Sequence, residues 1–404
     1  MGKVGTEATL LEIKGLTDDI RTFTEVIAQG ATIDSLLGFK KLVRDGKAQA
    51  LLPVGTQLFD KWAKAAGTEY NAPWDIVHYD AAGNAYLNWH FCYPDGVQFD
   101  APEAIYYAGP DGLPAGQYYI QIGSAWGQGW ASTKAINFTL TADMAAGDQL
   151  YIDCGTSNNN DPTSGRTWNV YAQGSTTSKQ TGTTSEGTTG TLLGTIGATN
   201  IHKPEGNING ISRVVYGYGR WSQSAVRQWL NSTLAANKWW TPQNPWDRPP
   251  GQHSTLRGFL AGYSEEFVAA LDTVDVVTAL DTVEGLTDTT ETTQDRIFLP
   301  SLQEMYINPE LADVEGVDWD YNKALAAEAG LDGKFQRSQT YPILKKYIIS
   351  DQSSAAYVWL RSCYRGNAGN AWYVTNSGYV NYYLTASSAL RGCPACKILK
   401  NASS

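Results

Sequence analysis

The sequence has few of the side chains on which enzymes most often rely. Its 404 residues include four histidines, and charged residues make up 17% of the chain, below the usual ~25%. No HExxH motif and no histidine pair at metal-ligand spacing is present, which argues against a zinc protease. A GxSxG elbow, a GxxxxGKS/T loop and a complete GxGxxG unit are also missing. We therefore expect a protein that is not an enzyme and that uses neither a cofactor nor a metal.

Basic runs and long apolar runs are missing as well. The net charge is −10, and no stretch gathers lysine and arginine, which argues against nucleic acid and anionic membranes as partners. Residues 1–15 contain no apolar segment of signal-peptide length, and nowhere do about 18 apolar residues run together. The sequence thus predicts no signal peptide and no membrane insertion. Synthesis in the cytoplasm is expected, as it also is for a virion protein released by lysis.

The cysteines do not form a disulfide framework, because five of them are spread over the long chain. Reduced thiols are the default expectation. Cys393 and Cys396 form a CxxC motif, but no second CxxC and no nearby histidine completes a set of four zinc ligands. Two interpretations remain: a redox or metal function, and, the one we favour, a pair of buried structural thiols.

What the sequence does have is 23 tyrosines, 14 tryptophans and 40 glycines, a composition typical of a β-rich scaffold with a binding surface. Apolar residues at three- and four-residue steps over 17–46 predict two short amphipathic helices. Thr17 or Asp18, and Thr32 or Asp34, are candidate caps, and Gly30 and Gly46 are candidate stops. We assign residues 1–49 to an N-terminal helical segment. It either forms the seam of an oligomer or packs on its own β domain.

A region of period-two alternation follows, over residues 50–200. Segments 118–123, 135–142 and 149–153 are short, rich in β-branched or aromatic residues, and bounded by turn residues. This pattern predicts a β-sandwich-like domain. The Ser/Thr/Gly tract at 174–191 is expected to be an exposed loop or linker.

Residues 201–404 alternate helical and aromatic-rich segments. Ser222 or Ser224 is expected to cap one amphipathic helix, and Ser264 a second. Residues 297–306 predict an apolar strand that runs into a short helix. The end of the chain predicts a β-hairpin that turns at 376–378. With the two preceding regions, this gives an α+β and all-β multidomain protein.

Six tyrosines interleaved with asparagines follow Ala356, which is the composition of a contact surface. Ordinary strand packing accounts for Trp359 and Trp372, but a run of closely spaced Tyr and Asn residues cannot all face a core. For Tyr373 the two interpretations are equally good.

The order of WSQSAVRQWLNST, SEEF, IFLPSLQEMY and VWLRSCYRGNAGNAWYVTNSGYVNYY resembles the variable proteins of diversity-generating retroelements, which have a C-type lectin-like fold. The resemblance covers about residues 211–398 and implies that fold for 201–404. In that family an error-prone reverse transcriptase replaces template adenines, so that AAC codons come to encode Asn, Tyr, Ser, Thr and other residues, never a stop. The chain departs from the family's GVRPA-like ending with LRGCPACKI.

The resemblance implies which positions vary and which are fixed. The variable, ligand-contacting positions would be Tyr364, Asn367, Asn370, Tyr373, Thr375, Asn376, Tyr379, Asn381, Tyr382, Tyr383, Thr385 and Ser387. The fixed scaffold would be Trp359, Leu360, Arg361, Ser362, Ala371, Trp372 and Val374. No EPN or WND triplet is present, so only the acidic stretch 318–320 could be suggested as a calcium site.

The resemblance also implies a setting for the protein. It would be a phage or prophage receptor-binding protein, located in the tail or virion surface, that recognises a bacterial surface protein or glycan. The N-terminal β region would attach the variable domain to other virion proteins or oligomerise it, and a homotrimer is favoured. Two alternatives remain: an oxidase like the formylglycine-generating enzymes, which need a reactive cysteine pair, and a fixed structural decoration protein of the virion.

Overall fold

The computed structural model describes residues 35–102, 113–122, 134–140, 143, 167–183, 217–243, 247–282 and 289–401. The helices are α1 (Leu36–Arg44), α2 (Ala48–Leu51), α3 (Ala225–Leu230), α4 (Glu265–Ala270) and α5 (Asp320–Glu328). The strands of the first half are β1 (Gln57–Ala65), β2 (Thr68–Tyr79), β3 (Ala85–Trp89), β4 (Val97–Gln98), β5 (Gly116–Ile122), β6 (Lys134–Leu140), β7 (Thr167–Ala172) and β8 (Ser178–Thr183). Those of the second half are β9 (Val274–Ala279), β10 (Thr290–Asp295), β11 (Lys346–Ile348), β12 (Asp351–Ala356), β13 (Val358–Cys363), β14 (Ala371–Val374), β15 (Val380–Asn381), β16 (Ala389–Leu390) and β17 (Ala395–Ile398).

A four-stranded antiparallel sheet joins distant parts of the chain in the order β1-β2-β3-β17. The last strand pairs with β3 so that Ala395 lies opposite Asn88 and Ile398 opposite Ala85. All five residues of β3 are buried, as expected for a strand with neighbours on both edges and packing on its faces. The sheet therefore takes strands from both sides of the boundary placed at residue 200 on the sequence alone.

The core under this sheet is aromatic and comes from both halves of the chain. Trp62 and Trp89 meet edge to face with 5.5 Å between ring centroids, and Phe259 lies 5.5 Å from Trp62. Trp74 lies 6.0 Å from Phe267. Such pairs add about 0.5–1.5 kcal/mol each beyond the area that they bury. Residues on either side of the predicted boundary thus share one hydrophobic core.

Three predicted helices are present, each with a serine cap. The Ser35 hydroxyl accepts a hydrogen bond from Gly38 N–H, so the cap of α1 is Ser35 and neither Thr32 nor Asp34. Ser224 caps α3 and Ser264 caps α4 in the same way. The predicted caps of the last two helices are confirmed, because Ser accepts the orphan N–H groups of a first turn. The first of the two helices predicted over 17–46 lies outside the described residues.

Helix α1 packs against other parts of the same chain. The buried Lys40 ammonium donates to the Ala270 carbonyl and pairs with Asp272, both at 2.7 Å. The Asp60 carboxylate accepts a hydrogen bond from Leu36 N–H at 2.9 Å. Of the two arrangements expected for the helical segment, α1 shows the intramolecular one.

A second four-stranded antiparallel sheet has the order β6-β5-β7-β8. Its strands β5 and β6 confirm the strands predicted at 118–123 and 135–142, whereas the strand predicted at 149–153 lies outside the described residues. Tyr119 and Tyr171 stack across β5 and β7 with ring centroids 4.8 Å apart. Strand β8 falls inside the tract expected to be a loop, so that expectation is wrong for Ser178–Thr183. Cross-strand pairing outweighs the low strand propensity of its Ser, Gly and Gln residues.

The remaining strands form small antiparallel sheets: β9 with β10, β11 with β12, β4 with β16, and β13-β14-β15. The hairpin predicted around 376–378 is confirmed by β14 and β15, joined by a turn in which Gly378 has φ +87°. The strand and helix predicted over 297–306 are instead an isolated bridge at Phe298 and a series of turns. The expected mixture of helices and predominant strands is confirmed. None of the helices in the described ranges is long and apolar enough to cross a membrane.

Candidate functional site

The predicted contact surface is built on β13, β14 and β15. Strand alternation sends Trp372 and Tyr373 to opposite faces of β14. Tyr373 lies opposite Trp359 in the pairing of β13 with β14, and their rings meet at 5.8 Å. Trp372 contacts Tyr364 and Tyr382 on the other face. The Tyr-rich segment therefore has one side that joins the core and one side that forms a separate aromatic group.

This second side carries three interlocking rings, which we call the aromatic cluster: Tyr364, Trp372 and Tyr382. The two tyrosines stack at 3.8 Å with 11° between ring planes. Trp372 meets Tyr382 edge to face at 5.1 Å and Tyr364 at 6.0 Å. Tyr383 extends the cluster at 4.5 Å from Tyr382, and 70% of its surface is exposed. Rings locked in this way present a rigid surface with little conformational entropy to lose on binding.

The aromatic cluster forms one wall of a groove of about 300 Å³, which we call the tyrosine groove. The opposite wall comes from two loops that are distant in sequence from β14. The groove is lined by Asn308, Glu310, Gln336, Arg337, Ser338, Tyr364, Trp372 and Tyr382. Its volume matches the lower end of small-molecule sites, which are about 300–1,000 Å³.

The charges in the tyrosine groove satisfy one another. The Arg337 guanidinium lies 5.6 Å from the Trp372 ring centroid, within cation–π range. Its Nη1 pairs with Glu310 Oε1 at 3.1 Å. The other oxygen of Glu310 accepts a hydrogen bond from Arg365 N–H at 2.7 Å. The groove thus carries one cation and one anion, already engaged with each other.

One donor beside the groove is unsatisfied. The indole N–H of Trp372 is buried and has no hydrogen-bond acceptor among the described residues. Buried Trp N–H groups usually find a partner, and leaving one unpaired costs about 1–3 kcal/mol.

Backbone hydrogen bonds hold the loop wall against β15. Ser338 N–H donates to Val380 O at 3.0 Å, and Val380 N–H donates to Gln339 O at 3.1 Å. Tyr341 N–H donates to Gly378 O at 2.9 Å. Ser338 has φ +57°, in the left-handed region that is uncommon for residues other than glycine. The loop is therefore fixed in a specific conformation beside the groove.

The twelve predicted contact positions divide by exposure. Tyr383 and Asn376 are exposed. Half-buried are Tyr364, Asn367, Tyr379, Asn381, Tyr382, Thr385 and Ser387. Asn370, Tyr373 and Thr375 are buried. The structure brings Tyr364 and Tyr382 into the groove and sets Tyr383 beside them.

The buried members of this set serve the backbone. Asn370 Nδ2 donates to the carbonyls of Tyr382 at 2.6 Å and Leu384 at 3.4 Å. Thr375 Oγ1 accepts hydrogen bonds from the N–H groups of Ser377 and Tyr379. These two polar side chains anchor the turns that carry the tyrosines, and both are buried in the free protein.

Tyr373 is the third buried position of the predicted contact set. It belongs to the core face, and burial raises its pKa to about 12. Of the two interpretations that the sequence left equal, the strand-packing one fits this burial.

The expected scaffold residues are all buried. Arg361 forms an ion pair with Glu304 and donates to the Glu315 carbonyl at 2.7 Å. Ser362 Oγ donates to the Glu315 carboxylate at 2.7 Å. Burial raises the pKa of Glu315, against the opposing effect of the Arg361 charge. A buried polar network thus lies beneath the strand that supports the aromatic cluster.

Sequence reasoning did not identify the loop side of the groove. Asn308, Glu310, Gln336, Arg337 and Ser338 lie in segments without a motif or a regular period. Glu310 and Arg337 meet only because of the tertiary fold, and no local signal could have joined them.

Both thiols of the CxxC motif are buried. The described cysteines, including Cys393 and Cys396, are free and buried. Burial raises the pKa of Cys393 to about 12 and that of Cys396 well above its ordinary value. A protonated, buried thiol is a poor nucleophile. Nor do the described residues contain a group of three His, Cys, Asp or Glu side chains able to hold a metal ion.

The acidic stretch at 318–320 is already paired with cations. Asp318 lies 2.6 Å from Lys334 Nζ. Asp320 lies 2.9 Å from His78 Nδ1 and 3.0 Å from Lys323 Nζ. These carboxylates are held by side chains of the protein itself.

A larger cavity of about 390 Å³ lies between α1 and the β2–β3 turn, lined in part by Asp80 and Lys400. Asp80 Oδ1 accepts a hydrogen bond from Ala82 N–H at 3.0 Å, and Oδ2 pairs with Lys397 at 3.3 Å. Asp80 is thus held by the turn. Among its described lining residues, the cavity has no group of aromatic rings like the one that borders the tyrosine groove. The tyrosine groove is the stronger candidate, although it is smaller.

Comparison with known proteins gives one family. The family described as Domain of unknown function (DUF6273) matches residues 198–399, half of the 404-residue chain. No curated protein and no solved structure matches the chain. The matched range contains every residue that lines the tyrosine groove and all twelve predicted contact positions.

Proposed function

This chain belongs to the DUF6273 family, and we propose that it is a ligand-binding protein whose tyrosine groove receives part of a partner molecule. The observation that carries the proposal is the aromatic cluster, where stacked Tyr364 and Tyr382 and the edge-on Trp372 border a groove with exposed polar side chains. Tyr and Trp are the residues that most often supply binding energy at protein surfaces.

We further propose that residues 201–404 have a C-type lectin-like arrangement diversified by a retroelement. The buried WLRS strand paired with the AWYV strand supports this assignment, because those segments carry the family resemblance. The contact set divides into buried anchors and exposed side chains, which we call the projecting residues. This division predicts which positions can vary. We expect substitutions to be tolerated at the exposed Asn376 and Tyr383, whereas the Asn370 and Thr375 side chains hold backbone groups and are needed by the fold.

The biological setting follows from the same resemblance. The protein would act in a phage tail or virion surface, as a homo-oligomer and most simply a trimer, against a bacterial surface protein or glycan. Repeated copies would turn a weak contact at each groove into strong avidity. The net charge of −10 supports a partner other than nucleic acid.

Sequencing the gene across a population from its native source tests the diversification. We expect substitutions to cluster in the codons of the projecting residues, to trace to adenines in a neighbouring template copy, and to be depleted at Asn370 and Thr375. Constant codons throughout residues 364–387 would contradict it.

Binding is tested directly with a matched pair of tyrosine variants. Tyr382→Ser removes one ring of the aromatic cluster, whereas Tyr347→Ser changes a tyrosine that is 39% exposed and does not line the groove. We expect Tyr382→Ser to lose most of its binding to host cells, measured by flow cytometry of the labelled full-length protein, and Tyr347→Ser to retain it. Equal binding by both variants would favour the fixed decoration protein.

The oxidase alternative gains little support from the cysteines. Such chemistry needs thiolates at an accessible cleft, whereas Cys393 and Cys396 are buried with raised pKa values. A copper-dependent oxidation that is lost in Cys393→Ser would nevertheless establish it.

A further inference from the structure

We propose that the occupant of the tyrosine groove is a neutral saccharide, an inference that rests on the proposed binding function. The groove combines aromatic rings, neutral polar side chains and one cation and one anion that form an ion pair with each other. Each of these features selects among ligand classes, and together they favour an uncharged, hydroxyl-rich molecule.

The charge balance of the groove disfavours a charged ligand. Among the described residues that line the groove, Arg337 and Glu310 are the only ionisable ones apart from the tyrosines, and their closest atoms are 3.1 Å apart. An anionic ligand would approach Glu310, and a cationic one would approach Arg337. Either would have to compete with an existing ion pair, whereas a neutral ligand leaves it intact.

The rim of the groove offers neutral donors and acceptors. Asn308, Gln336 and Ser338 are exposed and line the groove opposite the tyrosines. Amides and hydroxyls each supply donor and acceptor atoms. Sugar hydroxyls do the same, so that one ring can satisfy several of these groups at once.

The aromatic wall complements the less polar faces of a sugar ring. Tyr382 is stacked on Tyr364, and the largely exposed Tyr383 ring lies tilted against Tyr382 beside the groove. The C–H groups of a pyranose can pack on such rings while its hydroxyls point to the rim. Trp372, which lines the groove, also carries a buried N–H without an acceptor among the described residues.

The primary test is binding of the full-length protein to neutral trisaccharides of glucose, galactose and N-acetylglucosamine, by saturation-transfer NMR and calorimetry. A sialylated trisaccharide serves as the charged probe. We expect at least one neutral probe to bind, and Asn308→Ala and Gln336→Ala each to weaken it about fivefold, the effect of one hydrogen bond. Asn71→Ala, which changes an exposed asparagine that belongs neither to the predicted contact set nor to the groove, is the matched control and should bind as the wild type does.

Competition on host cells separates this inference from the function on which it rests. Inhibition of cell binding by the neutral trisaccharide supports the inference. If Tyr382→Ser loses cell binding, but only protease treatment of the cells removes the wild-type signal, the partner is a protein: the saccharide inference falls and the binding function stands. Preference for the sialylated probe would also overturn it. If Tyr382→Ser binds cells normally, both fall.

Discussion

Asn370 and Asn376 belong to the same asparagine-rich segment but have opposite surroundings. Asn370 is 9% exposed, and its amide holds the Tyr382 carbonyl at 2.6 Å, whereas Asn376 is exposed at the tip of the hairpin. We predict that Asn370→Ala lowers the free energy of unfolding by about 1–3 kcal/mol, because buried carbonyls lose their donor. Asn376→Ala should stay within about 0.5 kcal/mol of the wild type. Urea denaturation of both variants measures the difference, and equal stabilities would show that Asn370 is not an anchor.

Glu315 predicts a pH dependence of stability. A carboxyl whose pKa is raised by folding takes up a proton on folding. The stabilisation that this proton gives the folded protein is complete below the pKa of the unfolded chain, which is 4.5 for an ordinary Glu. It is lost as pH rises through the pKa of the folded protein. Because Gln does not ionise, we predict that Glu315→Gln becomes steadily more stable relative to the wild type as pH rises above about 4.5, until the pKa of Glu315 in the folded protein has been passed. Urea unfolding of both proteins across that range gives the difference. A difference independent of pH would contradict the raised pKa.

Composition identified the Tyr/Asn surface but could not sort its members. The alternation along β14 indicated that Trp372 faces inward, yet Trp372 also borders the groove. The role of Asn370 depends on carbonyls that lie beside it only after the chain turns at 376–378. Contacts of this kind are set by tertiary structure, so a single sequence does not reveal them.

Two glycines show how much the hairpin depends on its turn. Gly378 has φ +87°, and a Cβ there would lie 2.1 Å from the Tyr341 carbonyl oxygen. Gly67, in the β1–β2 turn, has a similar φ of +79°, but a Cβ there would meet no atom within 4 Å. We predict that Gly67→Ala costs about 1 kcal/mol, from backbone strain alone. Gly378→Ala should cost at least about 2 kcal/mol more, because β15 must move away from the loop wall. Chemical denaturation of the two variants tests this, and equal costs would contradict it.

Local signals predicted elements well where a side chain caps or stops the backbone. Ser224 and Ser264 were identifiable because an N-cap acts within its own first turn. Strand β8 was missed, since its sequence reads as a linker and only pairing with β7 makes it a strand. The turns after Phe298 were not predicted, because a run of apolar residues indicates that a segment is buried but does not specify its backbone conformation.

At the scale of the whole molecule, the first and last described strands lie in one sheet. The core joins Trp74 and Trp89 to Phe259 and Phe267. We predict that residues 1–200 and 201–404, expressed separately, each bind the dye ANS and unfold without a cooperative transition. The full chain should unfold cooperatively. Near-UV circular dichroism and denaturant titrations distinguish these outcomes. Cooperative unfolding of residues 201–404 alone would show that β1–β3 are dispensable.

The boundary at residue 200 was placed where composition changes, and composition changes there because a Ser/Thr/Gly tract precedes it. A tract of that kind can be a long surface loop within one domain as well as a linker between two domains. The pairing of β3 with β17 is nonlocal, and period-two patterns do not specify their partners. The mixture of helices and predominant strands could therefore be predicted from the sequence, but the pairing of distant strands could not.

This pairing also has a consequence for biosynthesis. After Trp89 has been made, about 300 further residues must follow before Ala395 can close the edge of β3. At a synthesis rate of about 5–20 residues per second, the nascent sheet waits roughly 15–60 s with an open, apolar strand edge. An exposed edge of this kind pairs readily with other chains. On a polysome, several nascent copies expose this edge close to one another. Correct folding then requires that elongation be faster than association between the copies, so slower translation should increase the insoluble fraction.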